Sequence, residues 1–158
     1  IEERVVALLK EKGKKIATAE SCTAGYIPKR LTDIPGASEV FECGIVSYSN
    51  DIKTKLLGVS LKTLDTYGAV SEQTAREMAL GAKRVSGADI AISTTGLAGP
   101  GGDGVLPGGL SFAAVTDGER TGVEKIVTGH ENDREYNRYV TASRALNLVR
   151  LMLEEKIK

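Results

Sequence analysis

The sequence predicts an α/β domain, a three-layer α/β/α sandwich around a mixed β-sheet. Three observations lead there. Segments with helical apolar spacing alternate with short β-type runs along the chain. Glycines sit just past the ends of most helical segments, where a left-handed residue closes a helix. One Asp117-Gly118 turn lies between two apolar runs, so a hairpin interrupts the helix–strand succession and the sheet is mixed.

The elements follow in order. Glu2–Lys12 sets Val5, Val6, Leu8 and Leu9 among charges before Gly13, which reads as an amphipathic helix. Lys15–Ala19 is a short strand leading into Glu20-Ser21-Cys22-Thr23. The helix after it runs to about Leu31. Pro28 is tolerated only in a first turn, so this helix begins near Ala24 or Gly25 or is kinked. Val40–Tyr48 reads as a strand. Ser49-Asn50 caps a helix from Asp51 to about Leu57, closed by Gly58. Leu61–Tyr67 is a short helix. Ser71 caps a helix from Glu72 to Ser86, with Ala75, Met78, Ala79, Ala82 and Val85 on one face. Asp89–Ser93 is a buried strand, Leu110–Thr116 and Gly122–Val127 form the hairpin, and Asp133–Lys156 is a long final helix.

Composition excludes several functions. At 158 residues the chain suits one compact domain, with room for a dimer partner. Lys+Arg and Asp+Glu are both 21, so the chain lacks the cationic surplus of a general nucleic-acid binder. Aromatics are 4% with no Trp, which leaves no platform for stacking bases. The apolar runs are too short to span a membrane and none resembles a signal segment, so a cytoplasmic location is expected. The first residue is Ile, which suggests a trimmed N-terminus. Cys22, Cys43 and the lone His130 have no metal-ligand spacing, so neither a metal nor a cofactor is expected. His130 lies in a polar loop and makes a poor candidate for a catalytic base.

Three segments carry possible chemistry. In Thr18–Gly25, a serine at a strand-to-helix turn sits among free backbone N–H groups, which suits a nucleophile with an oxyanion site. Ser21 or Thr23 could equally be a helix cap. In Tyr48–Lys53, a lysine in the first turns of a helix opposes the helix dipole, which favours the neutral amine and a general-base role. A solvated surface lysine is the plainer alternative. From Thr94 to Gly109, Gly96, Gly99, Gly101, Gly102, Gly104, Gly108 and Gly109 follow a strand and can bring N–H groups close to an anion. The loop matches neither the Walker pattern nor the dinucleotide fingerprint. Arg134 and Arg138, one turn apart at a helix start, suit a phosphate or a solvated helix face.

Taken together, the segments Thr18–Thr23, Gly44–Asn50 with Lys53, Leu57–Val59, Tyr67–Glu72, Thr95–Gly102, and Asp133-Arg134 with Asn137-Arg138 resemble the C-terminal domain of the CinA competence/damage-inducible proteins. That domain also occurs alone as nicotinamide-nucleotide amidohydrolase. The resemblance covers nearly the whole chain. It implies an α/β/α domain that forms a homodimer and hydrolyses the carboxamide of nicotinamide mononucleotide, a small-molecule nucleotide, to nicotinate mononucleotide and ammonia. It implies Ser21 as nucleophile, Lys53 as its base and Tyr48 as an assisting group. It also places Glu20, Thr23, Ser38, Thr95, Gly96, Gly99, Gly101 and Arg134 at the substrate. The chain departs from the family pattern at Ala24, at Leu106-Pro107-Gly108-Gly109, at the insertion Gly129–Asn132 and at Pro28. A nucleotide-binding module without turnover, tied to competence or DNA damage, is the competing reading. An amidase for another carboxamide is a third.

Overall fold

The computed structural model describes residues 1–158. The chain forms helix α1 (Glu2–Glu11), strand β1 (Ile16–Glu20), helix α2 (Tyr26–Thr32), strand β2 (Phe41–Val46), helices α3 (Asn50–Leu57), α4 (Leu61–Tyr67) and α5 (Glu72–Ser86), strands β3 (Ile90–Gly96), β4 (Leu110–Thr116) and β5 (Thr121–Val127), and helix α6 (Arg134–Leu153). The five strands lie in the order β2-β1-β3-β4-β5. β2, β1 and β3 are parallel, and β3, β4 and β5 are antiparallel. Helices cover both faces, giving the expected three-layer sandwich with a mixed sheet.

Alternation along β1 explains the two layers. Ile16 packs with α1, α2 and α6 through Val5, Leu9, Ile27, Leu31, Leu146 and Val149. Ala17 and Ala19 point the other way, onto Leu57, Met78 and Ala82 of α3 and α5. Every residue of β1 is buried, as expected of a strand covered on both faces. Small residues on the α3/α5 side let those helices approach closely. Gly81 of α5 takes this furthest, since a Cβ there would collide with the carbonyl of Leu57 at the end of α3. No helix is long and apolar enough to cross a membrane.

Several boundaries differ from the sequence expectation, each for a local reason. β2 spans Phe41–Val46 and not Val40–Tyr48, because Ala37–Glu39 form a 3-10 turn before it and Ser47 and Tyr48 leave the sheet after it. β3 continues to Gly96, because Thr94, Thr95 and Gly96 pair with Ala113, Phe112 and Ser111 of β4. α6 stops at Leu153, and Glu155 takes a positive φ of 60°. α2 starts at Tyr26, so Pro28 is its third residue, where a backbone N–H would have no intrahelical acceptor. Val85 is 54% exposed, because at about 3.6 residues per turn it falls at the margin of the stripe set by Ala75, Met78, Ala79 and Ala82.

Three loops follow the C-terminal ends of the neighbouring parallel strands β2, β1 and β3. They hold Ser47–Ser49, Ser21–Gly25 and Leu97–Gly109. Open α/β sheets bind ligands at this edge. The Gly81–Leu57 contact sets how close α3 stands to α5. Gly81→Ala is expected to lower unfolding free energy by about 1–3 kcal/mol in urea denaturation, the usual scale for overpacking a core.

Candidate active site

The turn after β1 begins where the Ser21 N–H extends the sheet ladder to the Thr94 carbonyl at 3.0 Å. Ala24 (φ 46°) and Gly25 (φ 95°) then take left-handed conformations that swing the chain into α2. The fully buried Glu20 carboxylate holds this turn from inside. Its Oε1 accepts from Thr23 Oγ1 at 2.6 Å and from Ile27 N–H at 3.0 Å, and its Oε2 accepts from Gly25 N–H at 3.1 Å. Burial pushes the Glu20 pKa up, opposed by these hydrogen bonds and by the positive charge of Arg138. The Thr23 hydroxyl also meets Thr94 Oγ1 at 2.7 Å. Glu20 and Thr23 were expected as substrate contacts, but their side chains are engaged in building the turn.

The amides of the turn can be accounted for one by one. Ser21 N–H reaches Thr94 O, Ala24 N–H reaches Ser21 O, Tyr26 N–H reaches Thr23 O, and Gly25 and Ile27 N–H reach Glu20. Only the N–H groups of Cys22 and Thr23, directly after Ser21, donate to no protein acceptor. Both residues are buried, at 6% and 0% exposure, and an unpaired amide in a buried residue is uncommon in folded proteins.

Lys53 is the fourth residue of α3, whose N-terminus is capped by Ser49 Oγ accepting from Ile52 N–H at 3.2 Å. Its side chain turns inward and the residue is only 1% exposed. The Nζ donates to Ser47 O at 2.9 Å, to Tyr48 O at 3.2 Å and to Ser21 Oγ at 3.2 Å. Burial lowers its pKa from the ordinary lysine value of 10.5. The geometry serves both protonation states. Two carbonyls can hold only N–H groups, so once the ammonium loses a proton the lone pair of the tetrahedral nitrogen faces Ser21. The sequence left a surface lysine open, and the structure excludes it. Next to Ser21, the Cys22 thiol is pushed up to about 12 by burial and by Glu20, which keeps it protonated. Ser47 Oγ, on the residue whose carbonyl accepts from Lys53, is buried without a partner.

Tyr48 meets the dyad through its backbone. Its carbonyl accepts from Lys53, while its ring is 60% exposed and its hydroxyl accepts from Arg134 Nη2 at 3.3 Å. Arg134 also donates through Nη1 to Gly99 O at 2.6 Å, so Tyr48, Arg134 and the glycine loop meet on one side of the site. The loop is braced by the inserted segment. Gly101 N–H donates to Glu131 O at 2.9 Å and to Asn132 Oδ1 at 3.1 Å, and Asn137 Nδ2 ties Ala98 O to His130 O at 2.8 and 2.7 Å. A Cβ at Gly99 would collide with the Glu131 carbonyl.

These contacts redistribute the expected roles. The N–H of Gly101 is engaged within the protein and does not wait for an anion. Thr95 Oγ1 donates to Ala69 O at 2.6 Å, and Gly96 is pressed against Ser111 in the sheet, so both are framework. Ser38 is exposed in the 3-10 turn before β2, at the end where Phe41 pairs with Ile16. Ser21 follows the opposite end of β1, roughly 16 Å away along the strand, so the chain does not bring Ser38 to this site. The sequence leaves Arg138 open between a phosphate ligand beside Arg134 and a solvated helix face. Its guanidinium instead grips Cys22 O at 3.1 Å and Thr23 O at 2.9 Å. The His130 ring packs on Tyr136, with centroids 4.6 Å apart. Sequence reasoning missed the structural work of Glu20 and Arg138. The available signal for Glu20 was a carboxylate ending a strand otherwise made of apolar and small residues.

The comparisons bear on family and fold. A family model described as the CinA C-terminal domain matches residues 1–153. A competence-damage inducible protein of Caldanaerobacter subterraneus subsp. tengcongensis is 45% identical over 98% of this chain, and a CinA-like protein of Chloroherpeton thalassium is 48% identical over 97%. The chain spans 37% of the length of each of these relatives. Among solved structures, competence/damage inducible protein CihA of Agrobacterium tumefaciens superposes with a TM-score of 0.91 at 39% identity, covering 97% of this chain and 93% of that one. A CinA superfamily protein of Klebsiella pneumoniae gives 0.92 at 30% identity, covering 98% and 96%. With its sequence matched over almost its full length and its fold shared, the chain belongs to the CinA C-terminal domain family.

Proposed function

We propose that the domain is a serine-lysine amidohydrolase that removes ammonia from the carboxamide of nicotinamide mononucleotide. The observation that carries the reading is the Lys53 Nζ at 3.2 Å from Ser21 Oγ, at the C-terminal edge of the parallel strands. Ser21 Oγ attacks the carboxamide carbon as Lys53 takes its proton. The oxygen that becomes negative needs donors, and the Cys22 and Thr23 N–H groups are the ones available beside Ser21. The tetrahedral adduct collapses as Lys53 returns the proton to the departing nitrogen. The C–N bond breaks, ammonia leaves and an acyl-Ser21 remains. Lys53 then takes a proton from water as the water attacks the acyl carbon, and it reprotonates Ser21 as nicotinate mononucleotide departs.

Arg134 is the candidate for the phosphate. It is exposed, and its present partners are a neutral carbonyl and a phenol. A phosphate oxygen is a stronger, charge-assisted acceptor and would compete well for the same guanidinium. In this reading Tyr48 orients Arg134 through its hydroxyl and Lys53 through its carbonyl. The homodimer and the cytoplasmic location belong to the same proposal, and sedimentation of the purified chain tests the first.

Ammonia release from nicotinamide mononucleotide tests the reaction. Ser21→Ala and Lys53→Ala are each expected to lower kcat at least about 100-fold, the scale for losing a nucleophile or its base. Unchanged rates in both variants would remove the mechanism. The working form of Lys53 is the uncharged amine, so kcat/KM should rise with pH. Its midpoint should lie below the ordinary lysine value of 10.5, because burial lowers this pKa.

A further inference from the structure

We infer that Arg138 is a positioning residue that aims the Thr23 N–H, next to that of Cys22, at the oxyanion of the reaction. The inference rests on acyl transfer at Ser21. A peptide unit is planar, with its C=O and N–H pointing in opposite directions. Whatever fixes the carbonyl therefore fixes the amide that follows. In the Ser21–Cys22 unit, Ser21 O is held by Ala24 N–H at 3.1 Å, which sets the direction of the Cys22 N–H. In the Cys22–Thr23 unit, Cys22 O is held by Arg138 Nε at 3.1 Å, which sets the Thr23 N–H. Arg138 Nη2 takes the next carbonyl, Thr23 O, at 2.9 Å. The guanidinium thus lies on the carbonyl side of the Cys22–Thr23 peptide, with the unpaired Thr23 N–H opposed to it.

The fork needs its own support and has it. Arg138 lies in the second turn of α6, whose N-terminus is capped by Asp133 accepting from Tyr136 N–H at 3.1 Å. Its Cζ lies 5.8 Å from the centre of the Tyr26 ring. Without this grip, Cys22 O has no other hydrogen-bond donor and Thr23 O keeps only Tyr26 N–H, just before the left-handed residues Ala24 and Gly25. A cavity of about 540 Å³ backs onto the same guanidinium, lined by Ala24, Gly25, Tyr26, Arg138 and Tyr139 among others. Truncation of Arg138 would open onto this cavity, and a small guanidinium ion could enter.

The test uses an alkyl fluorophosphonate, which reads Ser21 without assuming a substrate. Its phosphorus forms a bond to Ser21 Oγ, the P–F bond breaks, fluoride leaves and Lys53 takes the serine proton. The phosphoryl oxygen demands the same donors as the oxyanion. Labelling at Ser21, located by peptide mass spectrometry, is expected to slow about 100-fold in Arg138→Ala, the scale for losing an oxyanion donor. The midpoint of the rate's pH profile should stay where it is in the parent chain, and millimolar guanidinium should restore part of the rate. Arg138→Lys keeps the stem and charge but loses the two-pronged fork. It should melt near the parent temperature and still label at least about 10-fold more slowly. If Arg138→Ala fails to fold, this second variant decides. Parent-like labelling in the folded variants, a loss that follows a moved pH midpoint, or no rescue by guanidinium would overturn the inference. Absence of labelling at Ser21 in the parent chain is a different result, and overturns the nucleophile itself.

Discussion

Lys53 is almost wholly enclosed, and its nitrogen faces two backbone carbonyls and a serine hydroxyl with no carboxylate in contact. A buried ammonium without a counter-charge is unfavourable, and the usual response is a lowered pKa. The rest of the site depends on this constraint. In the proposed reaction, an amine that sheds its proton easily turns Ser21 from an ordinary hydroxyl into a nucleophile. The same neighbourhood stops Cys22 from competing, since burial keeps its thiol protonated. Position in α3 adds to the effect, because a cation near a helix N-terminus is opposed by the helix dipole.

The fold converts a local arrangement into a site by adjacency. β2, β1 and β3 are parallel neighbours, so the loops after them leave the sheet side by side. Ser47 N–H pairs with Glu20 O at 2.9 Å and Ser21 N–H with Thr94 O at 3.0 Å, so each loop starts from a strand end locked to the next. α6 then closes the arrangement from across the sheet edge. Its first turns supply Arg134 to the glycine loop, Asn137 to Ala98 and Arg138 to the turn after β1. One helix terminus therefore reaches all three loops, since Arg134 also donates to the Tyr48 hydroxyl.

Much of this was legible in the sequence. Helical and strand periods, Ser49 and Ser71 as caps, and Gly58 and Gly87 as stops are local signals, and they place most elements within a residue or two. The hairpin at Asp117-Gly118 was equally plain. Boundaries moved where pairing decides, as in Thr94–Gly96, whose polar residues look like loop but lie in the ladder with β4. At the site, Ser21, Lys53 and the Tyr48 backbone come together, and Arg134 meets the glycine loop. Local sequence cannot say whether a polar side chain faces a ligand or its own backbone. Glu20, Thr23 and Thr95 face the backbone or one another, and Gly101 donates to a segment that lies thirty residues further on. Ser38 lies in the 3-10 turn before β2, at the opposite end of the sheet, where the motif alone gave no distance.

The central claim is an uncharged amine beside a serine. Nitrogen-15 NMR of lysine-labelled protein measures it directly, with the Lys53 resonance assigned by its loss in Lys53→Met. The account predicts an ionisation for this nitrogen below that of the surface lysines, moving to a different midpoint in Ser21→Ala. A Lys53 signal that stays ammonium until the surface lysines titrate, and that ignores the removal of the serine hydroxyl, would contradict it.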